Sequence, residues 1–574
     1  SLTEVTVQLA LKYRLDQDDT RTPARELLDW TICEPALGSG AFLNEAINQV
    51  AAEYLRRRQE ELGAALEPEQ YHLELQRVKA YIALHNCYGV DLNRTAVELA
   101  EVSLWLNVMH AGLQAPWFGL HLRRGNSLIG GRRQLYAPKQ LADRSWLTTA
   151  PADRPFRDGA IDDGTIHHFL LPADGWGAVA GEKEARELAP AEAERLKRWR
   201  SAMKRVPSPK GKSSQVARLQ ALARRVEFLW GLVQRRLEIS EQEIRRDIAV
   251  WGADDLPPVT GAVPREKILA DLETPGTPYW RLKTLMDVWC ALWFWPLDAA
   301  GLLDGSAEEY AAGSVEVTHV RDLPVYEEPV SYEQDSLFGE VEPKQLTLDL
   351  RQPKRTGTTK VSIAERLRQQ VPLADLDDWL TFAEALIGRA DLARDSLISE
   401  FSSLDELSDY EATLPTLVGM DESYRLADRF PWLRTAETVA GQQGFFHWEL
   451  TFAQAFARGG FDLQVGNPPW VRPTWKEDVV LAEREPWFRL AGKPSVEVWR
   501  ERKAGSLEAD EARKAYLVEL SENGGAVAFF GSAATYRQLV GTQPDLYRGF
   551  MCQVWLHQRA SGTAGLVHPD THFG

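Results

Sequence analysis

The pattern that most constrains this chain is an apolar run, a glycine turn, a long amphipathic helix and a second apolar run closed by an acid. The first run is "WTICEP", Trp30 to Pro35, and "ALGSGAFLNEAINQVAAEYLRRRQEEL" follows it with apolar residues at helical spacing. The second run is "CYGVDL", Cys87 to Leu92. Further helices are predicted near Thr3 to Arg14, Ala24 to Asp29 and Tyr71 to Leu84, and one after the second strand through Leu106. Such a succession opens a doubly wound, Rossmann-like α/β sheet, a fold that binds ligands at the carboxyl ends of its strands.

From about Tyr136 to Gly441 the chain turns helical and charged, and strand character returns only at "FDLQVG", Phe461 to Gly466. The sheet is therefore predicted to be interrupted by a large, mainly helical insertion. Residues 1–135 carry its first half, 136–440 the insertion and 441–574 its second half. Inside the insertion, residues 305–359 are rich in acids, Pro, Gly and Ser and read as an acidic linker. The most apolar stretch, "YWRLKTLMDVWCALWFWP" from Tyr279, carries Arg281, Lys283 and Asp287 and is too short to span a bilayer, so it reads as a buried helix ended by Pro296. The closing "TAGLVHPDTHFG" reads as another strand and its loop. A doubly wound sheet calls for more strands than these, so the natural chain is expected to begin before Ser1 and to continue beyond Gly574.

Charge and cysteine usage narrow the classes. Four scattered cysteines without a CxxC pair point to a reducing cytoplasm rather than a disulfide frame or a zinc site. No signal peptide opens the chain. His447, His557, His568 and His572 form no HExxH-like pair, and no Walker lysine loop or nuclease carboxylate cluster is present. A net charge of −17 repels polyanions, so binding nucleic acid requires a segregated basic surface. From Arg195 to Arg236, thirteen Lys or Arg face the single acid Glu227. Lys197, Arg198, Arg200, Lys204, Arg205, Lys210 and Lys212 form either a phosphate-tracking surface or the solvated face of a helical hairpin turning at Pro207 and Pro209. "QDSLF" at Gln334 and "QLTLDL" at Gln345 are similar to peptides that bind a bacterial sliding clamp, or are an acidic segment with chance leucine spacing.

The chemistry gathers at the predicted strand ends. In "CEPALGSGAF", Glu34 closes a strand, and Gly38, Ser39 and Gly40 let the main chain approach a ligand at a helix amino terminus. The third glycine of a dinucleotide fingerprint is missing. Glu34 instead precedes the turn, where it can pair with an ammonium group. Asp91 ends the next strand, where a carboxylate can accept ribose hydroxyls. Together they describe a pocket for an adenosine bearing a charged amino-acid tail, which S-adenosylmethionine satisfies. "RRGNSLIG", Arg123 to Gly130, is the third lip, with Asn126 toward the adenine ring, or else a plain Asn-containing turn.

"GNPPW" then follows the strand Phe461 to Gly466. Pro468 and Pro469 delete two N–H donors and fix two φ angles, so the loop is stiff and its main chain there only accepts hydrogen bonds. It suits a substrate that donates. The lone pair of an exocyclic amine such as adenine N6 is delocalised into its ring. Accepting its hydrogens at the Asn467 side-chain oxygen and the Pro468 carbonyl would free that lone pair for a sulfonium methyl. Trp470 can stack on an extruded base.

With these residues in view, "CEPALGSGAFL", "YGVDLNRTAVELAEVSLWL", "HWELTFAQAF" and "GGFDLQVGNPPW" resemble the amino-methylating DNA methyltransferases, and most of all the very large adenine methyltransferases of bacterial phage-defence systems, DISARM first and BREX second. The resemblance covers about Ser1 to Leu128 and Gly444 to Gly574. It implies a class I S-adenosylmethionine-dependent fold, double-stranded DNA as substrate, possible defence subunits as partners and no membrane. By position it puts Glu34, Pro35, Ala36, Gly38 and Gly40 at the cofactor tail, Asp91 and Leu92 at the ribose, Asn126 at the adenine edge, and Asn467, Pro468, Pro469 and Trp470 at the target base. Leu37 stands where Cys is frequent, Asn126 where Asp is usual, and Trp470 where Tyr or Phe is usual. Related loops also methylate RNA bases and protein glutamine, and a cofactor-retaining, DNA-scanning subunit with little turnover is a further reading.

Overall fold

The computed structural model describes residues 1–209, 214–257, 259, 264–312, 314–326, 355–368, 370–390 and 401–570. Its α/β part is a sheet of five parallel strands: β1 (Ile32–Glu34), β2 (Cys87–Asp91), β3 (Leu122–Arg124), β4 (Phe461–Gly466) and β5 (Gln558–Leu566). Their spatial order is β5-β4-β1-β2-β3. β1 pairs on one side with β2 and on the other with β4, although the chain from Gly125 to Gly460 lies between. The order reverses between β1 and β4, which makes that gap the topological switch point.

Helix α1 (Leu2–Arg14) precedes the first strand, and α2 (Ala41–Leu62), α3 (Pro68–His85) and α4 (Arg94–Val108) supply crossovers that parallel strands require. A capping box closes the start of α1: the Ser1 hydroxyl accepts from Glu4 N, and the Glu4 carboxylate receives the Ser1 ammonium. Arg14 at its other end reaches Asp462 on β4 at 2.8 Å. Asp462 is wholly buried and also accepts from the Thr31 backbone N–H and hydroxyl, so one carboxylate joins α1, β1 and β4. Removing either member of such a pair would strand a buried charge.

The remaining chain is mostly helical. Its centre is α5 (Gln215–Ile244) and α6 (Pro278–Ala291), with a 3₁₀ turn at Leu292–Phe294 ahead of Pro296, as the aromatic run predicted. Tryptophans fill this core, and four of their indole N–H groups find main-chain acceptors: Trp176 donates to Trp289 O, Trp289 to Leu171 O, Trp379 to Leu170 O and Trp432 to Val371 O. These four large rings are thereby buried with their donors satisfied, while Trp293 Nε1 in the same core has no hydrogen-bond partner among the described residues.

Part of the expected acidic linker is regular instead. Ser314–Tyr326 pairs antiparallel with Arg355–Arg368 in a two-stranded ribbon. The peptides at Gln334 and Gln345 lie outside the described residues, as do Lys210, Lys212 and His572. All four cysteines are buried and unpaired. Among the described residues, no helix is long and apolar enough to cross a membrane.

Candidate functional site

Because the five strands are parallel, their carboxyl ends share one edge. Glu34, Asp91, Asn126 and Asn467 all stand there, within two residues of the ends of β1, β2, β3 and β4. The glycine turn and the proline loop sit side by side at the switch point. A Cβ built on Gly466 would lie 3.8 Å from Cγ of Glu34 and 3.9 Å from Cδ of Pro35.

The glycine turn is conformationally forced. Gly38 and Gly40 both have positive φ, at 52° and 74°. At Gly40 a Cβ would meet Leu104 Cδ1 at 2.8 Å and Ala100 Cβ at 3.2 Å, so α2 and α4 approach each other only because that residue is glycine. At Gly38 nothing lies within 4 Å, and Gly38 and Ser39 are exposed. This is open space above a main-chain turn at a helix start, the setting into which an adenosine with an amino-acid tail would fit.

Asp91 already serves that turn. One carboxylate oxygen accepts from Gly38 N at 2.8 Å and the other from Asn93 N at 2.9 Å. Each oxygen keeps a further lone pair, so the group can still receive hydroxyls. Glu34 behaves differently from the expectation of an ammonium partner. Its side chain is 2% exposed, and Oε2 accepts from Leu43 N at 2.9 Å inside the first turn of α2. That helix has Gly40 as its cap residue and so no side chain of its own to satisfy its first N–H groups. Glu34 does this from below, and burial pushes its carboxyl well above the usual range despite the N–H groups of Leu43 and Phe42.

Asn126 is half-buried on the third lip. Its carboxamide oxygen accepts from Leu128 N at 3.1 Å, which leaves the NH₂ end as what it can offer a ligand. Ser127 Oγ donates to Pro35 O at 2.6 Å and binds this lip to the glycine turn.

The proline loop is anchored at both ends. Gly466 O accepts from Val567 N at 3.0 Å, Val471 O from Leu546 N at 2.9 Å, and Arg472 is paired with Asp545 at 2.7 Å. Between the anchors Pro468 is buried while Asn467, Pro469 and Trp470 are exposed, the indole at 56%. A large aromatic ring held in the open beside an amide is a platform for stacking.

Against known proteins, 108 residues are 32% identical to the "Putative type II restriction enzyme and methyltransferase RM.MjaORFECS2P" of Methanocaldococcus jannaschii, covering 17% of this chain and 8% of that protein. The chain thus matches less than a tenth of that relative's length. No family model and no solved structure matches.

The basic stretch folds as the helix Pro190–Met203 and the first part of α5, and much of its charge turns inward. Arg236 is buried against Glu411, Arg225 is buried beside the Ala390 carbonyl, and Arg218 is bound by Glu384 and Asp377. Of the weak nucleic-acid candidates, Arg200 donates to Asp174 O, Lys204 pairs with the Asp174 carboxylate and Arg198 with Glu194. Lys197 and Arg205 are exposed. Apart from Glu194, four residues before Arg198, the compensating acids come from distant segments, which counting within the stretch could not foresee.

Gly444 to Trp448, "GFFHW", run beside the third lip. Sequence reasoning gave them no place in the site: His447 and Trp448 entered only through the resemblance of "HWELTFAQAF", and His447 as a histidine outside any metal pair.

Proposed function

We propose that this chain is the core of an S-adenosylmethionine-dependent DNA methyltransferase that methylates adenine N6 in double-stranded DNA, as part of a restriction-modification-like phage-defence system of the DISARM or BREX kind. The observation that carries the reading is the meeting of an open glycine turn and an Asn-Pro-Pro-Trp loop, whose two prolines offer only acceptors, across the switch point of a parallel sheet. The partial likeness to an archaeal protein named as a restriction enzyme and methyltransferase supports it.

S-adenosylmethionine, when bound, supplies an electrophilic methyl on a sulfonium. Gly38 to Gly40 and the start of α2 would hold its amino-acid end over the floor made by Pro35 and Ala36. Asp91, with Leu92 beside it, would accept the ribose hydroxyls, and the Asn126 NH₂ would meet the adenine edge. On the other side of the gap, Asn467 Oδ1 and the Pro468 carbonyl would accept the two hydrogens of the target amine. Both acceptors then resist delocalisation of the nitrogen lone pair into the base, which leaves it directed outward as a nucleophile. Trp470 would stack on the base face and hold it out of the duplex. The surplus proton on the methylated amine leaves to water from this exposed loop, so no strong base is needed.

The test is methyl transfer from labelled S-adenosylmethionine to unmethylated bacterial DNA, digested to nucleosides, with Asn467→Ala in parallel. Labelled N6-methyl-2′-deoxyadenosine that disappears in the variant is the expected result. No labelled nucleoside, with cofactor binding intact, would replace this reading with an RNA or glutamine methyltransferase, or with a DNA-scanning subunit.

A further inference from the structure

The lip after β3 is not shaped by the sheet alone. Asn126 N donates to Gly444 O at 2.6 Å, Asn126 and Phe445 form a parallel bridge, and Phe446 N donates to Ile129 O at 2.9 Å. The two main chains touch so closely that a Cβ on Gly130 would lie 1.9 Å from Phe446 O. The next two residues continue the brace with their side chains. His447 Nδ1 accepts from Gly131 N at 2.8 Å, and Trp448 Nε1 donates to Ser127 O at 2.9 Å.

His447 is 1% exposed, and its other nitrogen meets Asp287 Oδ1 on α6 at 2.9 Å. Asp287 is paired in turn with Lys283. The Gly131 N–H can only donate, so Nδ1 must be the bare nitrogen and Nε2 carries the hydrogen to Asp287. Burial holds this imidazole below its ordinary pKa, with Asp287 opposing, which keeps that tautomer neutral. One ring thus fastens the end of the lip to a helix of the tryptophan-rich body. The same short segment leads on through Ala453–Ala457 into β4, the strand that carries Asn467.

We propose that His447 is a positioning residue for the adenine side of the cofactor pocket: through Gly131 it fixes the turn that presents Asn126, and through Asp287 it ties that turn to the helical body. This rests on the cofactor reading given above. Side-chain length separates the two bonds. In His447→Asn the amide oxygen sits where Nδ1 does and keeps the bond to Gly131 while losing Asp287. In His447→Gln the amide reaches the Nε2 position, keeping Asp287 and losing Gly131.

The probe is S-adenosylhomocysteine, titrated by calorimetry into the whole chain, with melting temperatures taken in parallel. His447→Asn is expected to bind within about threefold of wild type, and His447→Gln to weaken by about tenfold or more, the scale of one buried hydrogen bond. In turnover, His447→Gln should raise KM for S-adenosylmethionine and leave kcat at saturating cofactor close to wild type. Equal losses in Asn and Gln variants that follow their melting temperatures would overturn the proposal, leaving His447 as packing. Wild-type affinity in His447→Gln would overturn it as well. Failure of the wild-type chain to bind S-adenosylhomocysteine would overturn the cofactor reading itself, and this inference with it.

Discussion

The two loops that face each other across the switch point are opposites. The glycine turn is fastened from within, with open space above Gly38: Glu34 caps α2 from beneath, Asp91 accepts from Gly38 N, and Gly40 fills a space with no room for a Cβ. The proline loop is open, pinned at Gly466 and Val471 with Asn467 and Trp470 standing in solvent between. A small ligand met by main chain needs a preformed cradle, whereas a base drawn from a duplex needs access and a rigid set of acceptors. One side therefore trades on stability and the other on reach, and substitutions should separate them.

The largest effect is expected on the open side. Asn467→Ala should lower methyl transfer by about 10²–10³-fold, as for loss of one preorganised hydrogen-bonding group at a reacting atom. Its melting temperature and cofactor affinity should stay at wild-type values, because the residue is exposed. A matching loss of stability would break the contrast. Gly40→Ala should do the reverse, costing about 2–4 kcal/mol through the 2.8 Å approach to Leu104 and the left-handed backbone, with cofactor binding lost alongside. Gly38→Ala sharpens this. With nothing near its Cβ it should cost only about 1–2 kcal/mol of stability, yet weaken cofactor binding more than that by filling the cradle.

Trp470→Ala should raise KM for DNA by an amount worth about 1–3 kcal/mol of stacking, and Trp470→Phe should recover most of it. Unchanged KM in both would deny the stacking role. Glu34 gives the smallest shift and the most informative one. Glu34→Ala should cost about 1–2 kcal/mol as a lost helix cap, while Glu34→Gln keeps an acceptor for Leu43 N and should cost less. Burial raises this carboxyl in the folded chain, so its contribution is fully present below the ordinary glutamate value of 4.5 and declines as pH rises through the folded value. Denaturant unfolding from pH 4.5 upward should show that decline in wild type and a flatter profile in Glu34→Gln. A tenfold loss of cofactor affinity in Glu34→Gln at unchanged stability would instead restore the ammonium-partner role.

Much of the edge was legible because its signals are local. A glycine between a strand and a helix, an acid at a strand end and consecutive prolines each act through their own backbone, so their positions followed from alternation and turn chemistry. That β1 lies between β2 and β4, across the intervening chain, was shown only by the folded sheet. The direction of Glu34 was not legible either, since a carboxylate at a strand end can face outward to a ligand or inward to a helix, and only the packing of α2 selects one. The basic stretch misled for the same reason. Composition counts cations but is blind to Glu384, Asp377 and Glu411, which arrive from a later segment to pair with them.

The sequence by itself determined β1, β2, β4, the glycine turn and the proline loop, because those depend on residues adjacent in the chain, while their order along one edge came from long-range pairing. Tertiary structure decided which polar groups face the gap and which are spent within the fold. Asn126 offers its NH₂ because Leu128 N takes its oxygen, and His447 braces Gly131 because Asp287 on a distant helix holds its other nitrogen. Each hydrogen-bonding group has few partners to give, and only the folded chain assigns them.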